Sequence, residues 1–331
     1  MRSSIRPVPG SIRTMRACMT LVVVLTSSLC AAQTYPAKPI RLIAAYPAGG
    51  PSDIVARAVA QRVGEVLGQS ILVENRAGAG GNVGFEAGAK APPDGYTLLL
   101  GAGAMTIAPA IYPKLGYDVV RDLAPIALVA SSTFVLMVHP AVPASSPSDL
   151  IRLARARPGV LNVGSAGLGS PPHLAAELFQ SMAKIKIVHL PYKGATPALT
   201  ALLGGETDLY FGGISSAVPH VQSARLRGLA VTSRKRASAL PNLPTLDASG
   251  LKGFDISTWF GLMAPMGTPA EIIQRVHAAT VKAIARPEMQ QTLLSLGFEP
   301  EPMTPEQFSA HVKAELKKFA DIVKASGAKF E

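Results

Sequence analysis

Ile40-Arg41-Leu42-Ile43-Ala44-Ala45-Tyr46-Pro47-Ala48-Gly49-Gly50-Pro51-Ser52-Asp53 holds an apolar β-type run, a glycine turn and a helix start in immediate succession. The stretch that follows, Ile54 to Leu67, is amphipathic at helical spacing. Strand, tight turn, helix is the repeating unit of open α/β sheets, and the alternation continues along the chain. Further candidate strands are 71–74, 97–100, 134–138, 161–164, 187–190, 208–211, 229–232 and 259–264. From Thr268 to the end the pattern is mostly helical, with Ile272, Ile273, Val276, Ala279 and Ile284 spaced for one buried face. No internal repeat is present.

Helix starts carry a recurring signature, a hydroxyl residue followed by proline: Ser146-Pro147, Ser170-Pro171, Thr196-Pro197, Thr268-Pro269 and Thr304-Pro305. The hydroxyl accepts from an orphan backbone N–H, and proline lacks the donor that the first helical position would leave unused. Thr268 with Glu271, and Thr304 with Gln307, have capping-box spacing.

The 331 residues, 48% of them hydrophobic, suffice for about two cored domains. The first 32 residues read as an export signal and are set aside from the fold. Arg2, Arg6, Arg13 and Arg16 form a basic start without acids, Ala17 to Leu29 is a short apolar run, and Cys30-Ala31-Ala32 supplies small residues before Gln33. That run is shorter than the ~20 residues a membrane helix needs. Lipid attachment at Cys30 is the competing reading, disfavoured because Leu29 stands where a small residue is wanted. Both cysteines, Cys18 and Cys30, fall within the signal, so the processed chain has no disulfide, thiol nucleophile or thiolate metal ligand. Loss of the four arginines lowers the net charge from +11 to +7. Arg234-Lys235-Arg236 is the one tight basic cluster and has no interleaved aromatics, which argues against nucleic acid.

Two segments carry the chemistry. Tyr46, Ala48, Gly49, Ser52 and Asp53 lie in a glycine turn feeding a helix, where exposed amides and the helix dipole favour an anion. Ser165-Ala166-Gly167-Leu168-Gly169-Ser170 leads to Pro171, Pro172 and His173 and repeats that physics in the second half of the chain, so two such loops facing each other would grip a carboxylate from both sides. Tyr192 and Lys193, after the strand ending near Leu190, and Ser215, after Gly212-Gly213, stand at the ends of predicted parallel strands, where open α/β sheets bind ligands. Enzyme motifs fail on inspection. Val163 occupies the glycine position of a nucleophile elbow around Ser165. Val83 breaks a dinucleotide fingerprint in Gly78 to Gly84. The six histidines have no metal-ligand spacing, so neither metal nor cofactor is expected.

Taken together, Lys38 to Ile43, the Tyr46 to Asp53 loop, Val73-Glu74-Asn75-Arg76 with Gly78 to Asn82, Pro93 to Leu98, Pro191-Tyr192-Lys193-Gly194, Leu243-Pro244-Thr245 and Trp259-Phe260-Gly261-Leu262 resemble the Bug family, the substrate-binding components of tripartite tricarboxylate transporters. The resemblance covers essentially the whole processed chain. It implies a periplasmic binding protein fold of type II: two α/β lobes, joined by two crossover strands, closing on a small carboxylate between the two glycine loops. On this sequence the lobes would be 33–133 with 260–331, and 134–259, and the crossovers Phe134 to Val138 and Ser257 to Ala264. It further implies a monomeric, exported, non-enzymatic protein that delivers ligand to membrane permease subunits. The alternative is a partner that presents ligand to a membrane sensor kinase. Two departures from relatives, Gly212-Gly213 and Ala104 in place of polar residues, leave fewer side chains for a ligand ammonium, so a mono-, di- or aromatic carboxylic acid without an amino group is expected.

Overall fold

The computed structural model describes residues 35–326; the export signal read from the sequence lies outside them. Among the described residues, ten strands form one continuous sheet whose order, β2-β1-β3-β9-β4-β7-β5-β6, makes two α/β lobes joined at its centre. In the first lobe β1 (Ile40–Ala44) lies between β2 (Ile71–Asn75) and β3 (Thr97–Ala102), all parallel. β1 and β3 are buried along nearly their whole length, as strands covered by helices on both faces must be. Strand β9 (Ser257–Pro265) runs antiparallel to β3 and to β4 (Leu123–Val138). In the second lobe β5 (Asn162–Ser165) lies parallel between β6 (Val188–Pro191) and β7 (Leu209–Gly213). β7 and β8 (Arg227–Val231) both pair antiparallel with β4, and the two-residue β10 (Glu299–Pro300) pairs with β4 from the first lobe.

The join is one long strand. The sequence marks only 134–138, but β4 extends over sixteen residues: 123–133 pairs with β9, and 134–138 passes into the second lobe. Its first half, Leu-Ala-Pro-Ile-Ala, has neither period-two alternation nor strong β propensity and carries Pro125, so only the partner strand reveals it. Thr232 stitches the crossing point, its Oγ1 donating to the Ile256 carbonyl at 2.6 Å and accepting from the Phe134 amide at 2.9 Å.

Helices α1 (Pro51–Leu67), α2 (Asn82–Ala89) and α3 (Ala104–Ile111) follow β1, the turn after β2, and β3. α4 (Pro147–Ala156), α5 (Pro171–Ala183), α6 (Ala195–Leu203) and α7 (Ile214–Gln222) serve the second lobe, and α8 (Ala270–Ile284), α9 (Pro287–Ser295) and α10 (Pro305–Ser326) close the molecule. Three of the five marked caps form: Ser146 accepts from Asp149 N, Ser170 from His173 N, and Thr304 exchanges both bonds of a capping box with Gln307. The other two do not. α6 already begins at Ala195, capped by Gly194, and the Thr268 hydroxyl turns back to the Pro265 carbonyl instead of capping α8. α10 touches both cores: Phe308 meets Trp259 edge-on at 5.2 Å over Gly261, while Phe319 and Ile322 pack with Leu136 and Phe179 of the second lobe.

Candidate functional site

A cleft of about 800 Å³ opens between the lobes. It is walled by the carboxyl-terminal ends of parallel strands and the helices they feed, the place where open α/β sheets collect ligands. Tyr46, Ala48 and Ser52 line it from the first lobe and Gly169 and Ser170 from the second, so the two glycine loops do face one another. Gly80 and Asn82, Ala104, Ile107, Ala108 and Ile111 of α3 with Tyr112 after it, Thr258 and Phe260 of β9, and Phe298 complete the wall; of these, sequence reasoning singled out Ala104 alone as facing the ligand. The sequence does offer a signal for Gly80 and Asn82, which sit in the glycine-rich run after β2.

The first loop is held rigid from behind. Asp53, buried in the first turn of α1, accepts the Gly49 amide (3.0 Å) and the Arg57 guanidinium (2.9 Å) on one oxygen and the Asn75 amide (3.0 Å) on the other. Asn75 also reaches the Tyr46 carbonyl at 3.0 Å. The Arg57 hydrogen bond, helped by the Gly49 and Asn75 amides against the cost of burial, lowers the Asp53 pKa to about 2. Gly49 adopts φ +85, a left-handed turn that any side chain would strain. At the tip, Ser52 is buried beside the cleft and its Oγ has no protein partner. The amides of Ser52 and Asp53 occupy the helix positions that no carbonyl of the same helix can reach. Tyr46 donates to the Gly80 carbonyl at 3.3 Å, and burial raises its pKa to about 12, so it stays a neutral hydroxyl.

The second loop resembles the first in outline and differs in spare donors. Its Gly167 amide bonds to Ser165 Oγ (3.1 Å), its Gly169 amide to His173 Nδ1 (3.0 Å), and its Ser170 amide to the Gly167 carbonyl. The Ser170 hydroxyl donates to the same carbonyl at 2.7 Å. Pro171 and Pro172, the first two residues of α5, carry no N–H at all. The second loop therefore keeps fewer free amides than the first, that of the cleft-lining Leu168 among them.

Gly49, Asp53, Ser165, Ala166, Gly167 and His173 do not line the cleft; Asp53, Ser165 and His173 bond the loops from behind, while Tyr192, Lys193 and Ser215 lie apart from it. Tyr192 extends the β5–β6 pairing through its amide to the Ser165 carbonyl, and Lys193 and Ser215 are exposed. His173 is buried and stacks on His189 at 4.0 Å, 15° from parallel. His189 Nε2 lies 2.6 Å from Ser165 Oγ. Burial, reinforced by the neighbouring His173, lowers the His189 pKa to about 4. A serine against a neutral imidazole has the pairing of nucleophile and base, but Ser165 is wholly buried and its hydroxyl is engaged by Gly167 as well, so no substrate can reach it. Among the described residues no three His, Cys, Asp or Glu side chains gather to hold a metal ion, and no helix is long and apolar enough to cross a membrane.

The model for the tripartite tricarboxylate transporter family receptor matches residues 55–328. The chain belongs to this receptor family. The protein BugT of Bordetella pertussis is 36% identical over 302 residues, covering 91% of this chain and 93% of BugT. A Rhodopseudomonas palustris protein solved with adipate is 34% identical with a TM-score of 0.74, over 88% of this chain and 98% of the other. MatC from Rhodopseudomonas palustris, solved with bound malate, is 31% identical with a TM-score of 0.71, over 87% of this chain and all of the other. The receptor family explains the architecture, two lobes around a cleft.

Proposed function

We propose that the processed chain is a periplasmic solute-binding protein that captures a small mono-, di- or aromatic carboxylate and delivers it, as a monomer, to the membrane subunits of a tripartite tricarboxylate-type carrier. Residues 1–32 act as the cleaved export signal. The lobes 33–133 with 260–331, and 134–259, rotate about the crossover strands to enclose the ligand. The observation that carries this reading is the first loop: unbonded amides at the start of a seventeen-residue helix and the partnerless Ser52 hydroxyl, all bordering the cleft. The relatives solved with adipate and malate support the same ligand class. Tyr46, Ala48 and Ser52 would contact the carboxylate directly or through water, with Gly49 and Asp53 behind them and Gly169 and Ser170 closing from the opposite lobe.

A thermal-shift screen of organic acids tests this. A ligand at 100 times its Kd should stabilise the protein by about 2.7 kcal/mol, with no turnover. Ser52→Ala should weaken the best acid by about ten- to a hundredfold, the loss expected for one hydrogen bond to a charged group. If no acid shifts the transition, the proposal is wrong.

A further inference from the structure

We infer that the cleft selects a monocarboxylate with an apolar body, an aliphatic or aromatic acid of six or more carbons. This rests on the carboxylate reading above and narrows it. Polar side chains line the cleft on the loops carrying Tyr46, Ser52, Asn82 and Ser170. The facing wall is largely apolar, its hydroxyls being those of Tyr112 and Thr258. Ala104, Ile107, Ala108 and Ile111 recur at helical spacing along α3 and present one continuous stripe. Beside them Phe260 and Phe298 pack together with ring centroids 4.9 Å apart. Among the described residues that line the cleft there is no Lys, Arg or His.

The wall therefore offers a second carboxylate no positive side chain, while enclosure would strip that group of water, a heavy cost for an ion without a partner. A hydrocarbon chain or ring gains from the same enclosure. The open cleft, about 800 Å³, is large enough to admit such a body. Ala104, which opens α3, brings a methyl group and no side-chain donor to the cleft; the donors at that spot are the backbone amides of the helix start.

Calorimetry on the purified protein with hexanoate, adipate, benzoate, malate and hexan-1-ol separates the possibilities, because hexanoate and adipate share a six-carbon skeleton and differ in the second charge. Hexanoate and benzoate should bind about tenfold or more tighter than adipate and malate, and hexan-1-ol should not bind. Adipate or malate binding as tightly as hexanoate would overturn the inference while leaving the carboxylate reading intact, and would assign the start of α3 to a second carboxylate. Absence of binding by every acid, or equal binding of hexan-1-ol and hexanoate, would overturn both. In Ala104→Arg, with folding checked by circular dichroism, the preference should reverse toward adipate; an unchanged hexanoate-to-adipate ratio would show that the ligand does not meet this wall and would also overturn the inference.

Discussion

The Asp53 carboxylate is almost fully buried yet ionised, because the Arg57 hydrogen bond, the Gly49 amide and the Asn75 amide together outweigh the cost of desolvation. It acts as a positioning residue, tying the turn of the first loop to the body of the lobe. In Asp53→Asn an amide N–H₂ must replace one acceptor oxygen among groups that all donate, so stability should drop by about 1–3 kcal/mol in urea titration, and carboxylate affinity should fall with it. The pH dependence has a defined sign. With the folded pKa at about 2 and the ordinary value near 3.8, Asp53 contributes stability that is complete above the ordinary value and lost as pH falls toward 2. The variant should lack that acid limb. His189 acts higher. Its folded pKa of about 4 lies below its ordinary 6.5, so its contribution is complete above 6.5 and is lost progressively as pH falls toward 4. Melting temperatures of the wild type and His189→Gln, measured across that window, should converge as pH falls.

At the scale of elements, the capping serines of α4 and α5 are chemically equivalent but differ in position. Ser146 caps α4 outside the cleft wall, and Ser170 caps α5 while lining the cleft and holding the Gly167 carbonyl. Each serine-to-alanine change should cost about 1 kcal/mol of stability, read as a shift in denaturation midpoint. Only Ser170→Ala should also weaken ligand binding. Equal effects of both on affinity would mean that the second loop gains its shape from the lobe as a whole and not from its cap.

At the scale of the molecule, both lobes share β4 and the buried threonine pair at its crossing point. Thr232 Oγ1 lies 3.1 Å from Thr133 Oγ1 and also serves Phe134 and Ile256. Thr232→Val keeps the volume and leaves the Phe134 amide and the Ile256 carbonyl unpaired, which should cost about 1–3 kcal/mol and alter the ligand-dependent compaction seen by small-angle X-ray scattering. A variant that is destabilised but compacts normally on ligand addition would show that this pair holds the fold together without governing closure.

By itself the sequence determined what local chemistry controls: the α/β alternation, the nine strands it marks, the serine and threonine caps that form at α4, α5 and α10, and the two glycine loops whose turns demand small residues. These are legible because backbone propensity and capping act over a few neighbouring residues. Tertiary structure decided the rest. The first half of β4 exists only because β9 lies beside it. The roles of Asp53 and His173, which face away from the cleft, depend on Asn75 and His189, 22 and 16 positions distant along the chain. The second loop, alike in composition, spends most of its donors on its own serine, histidine and Gly167 carbonyl or lacks them at its prolines. The apolar wall of α3, Phe260 and Phe298 is assembled from three distant segments, so no local pattern could announce it.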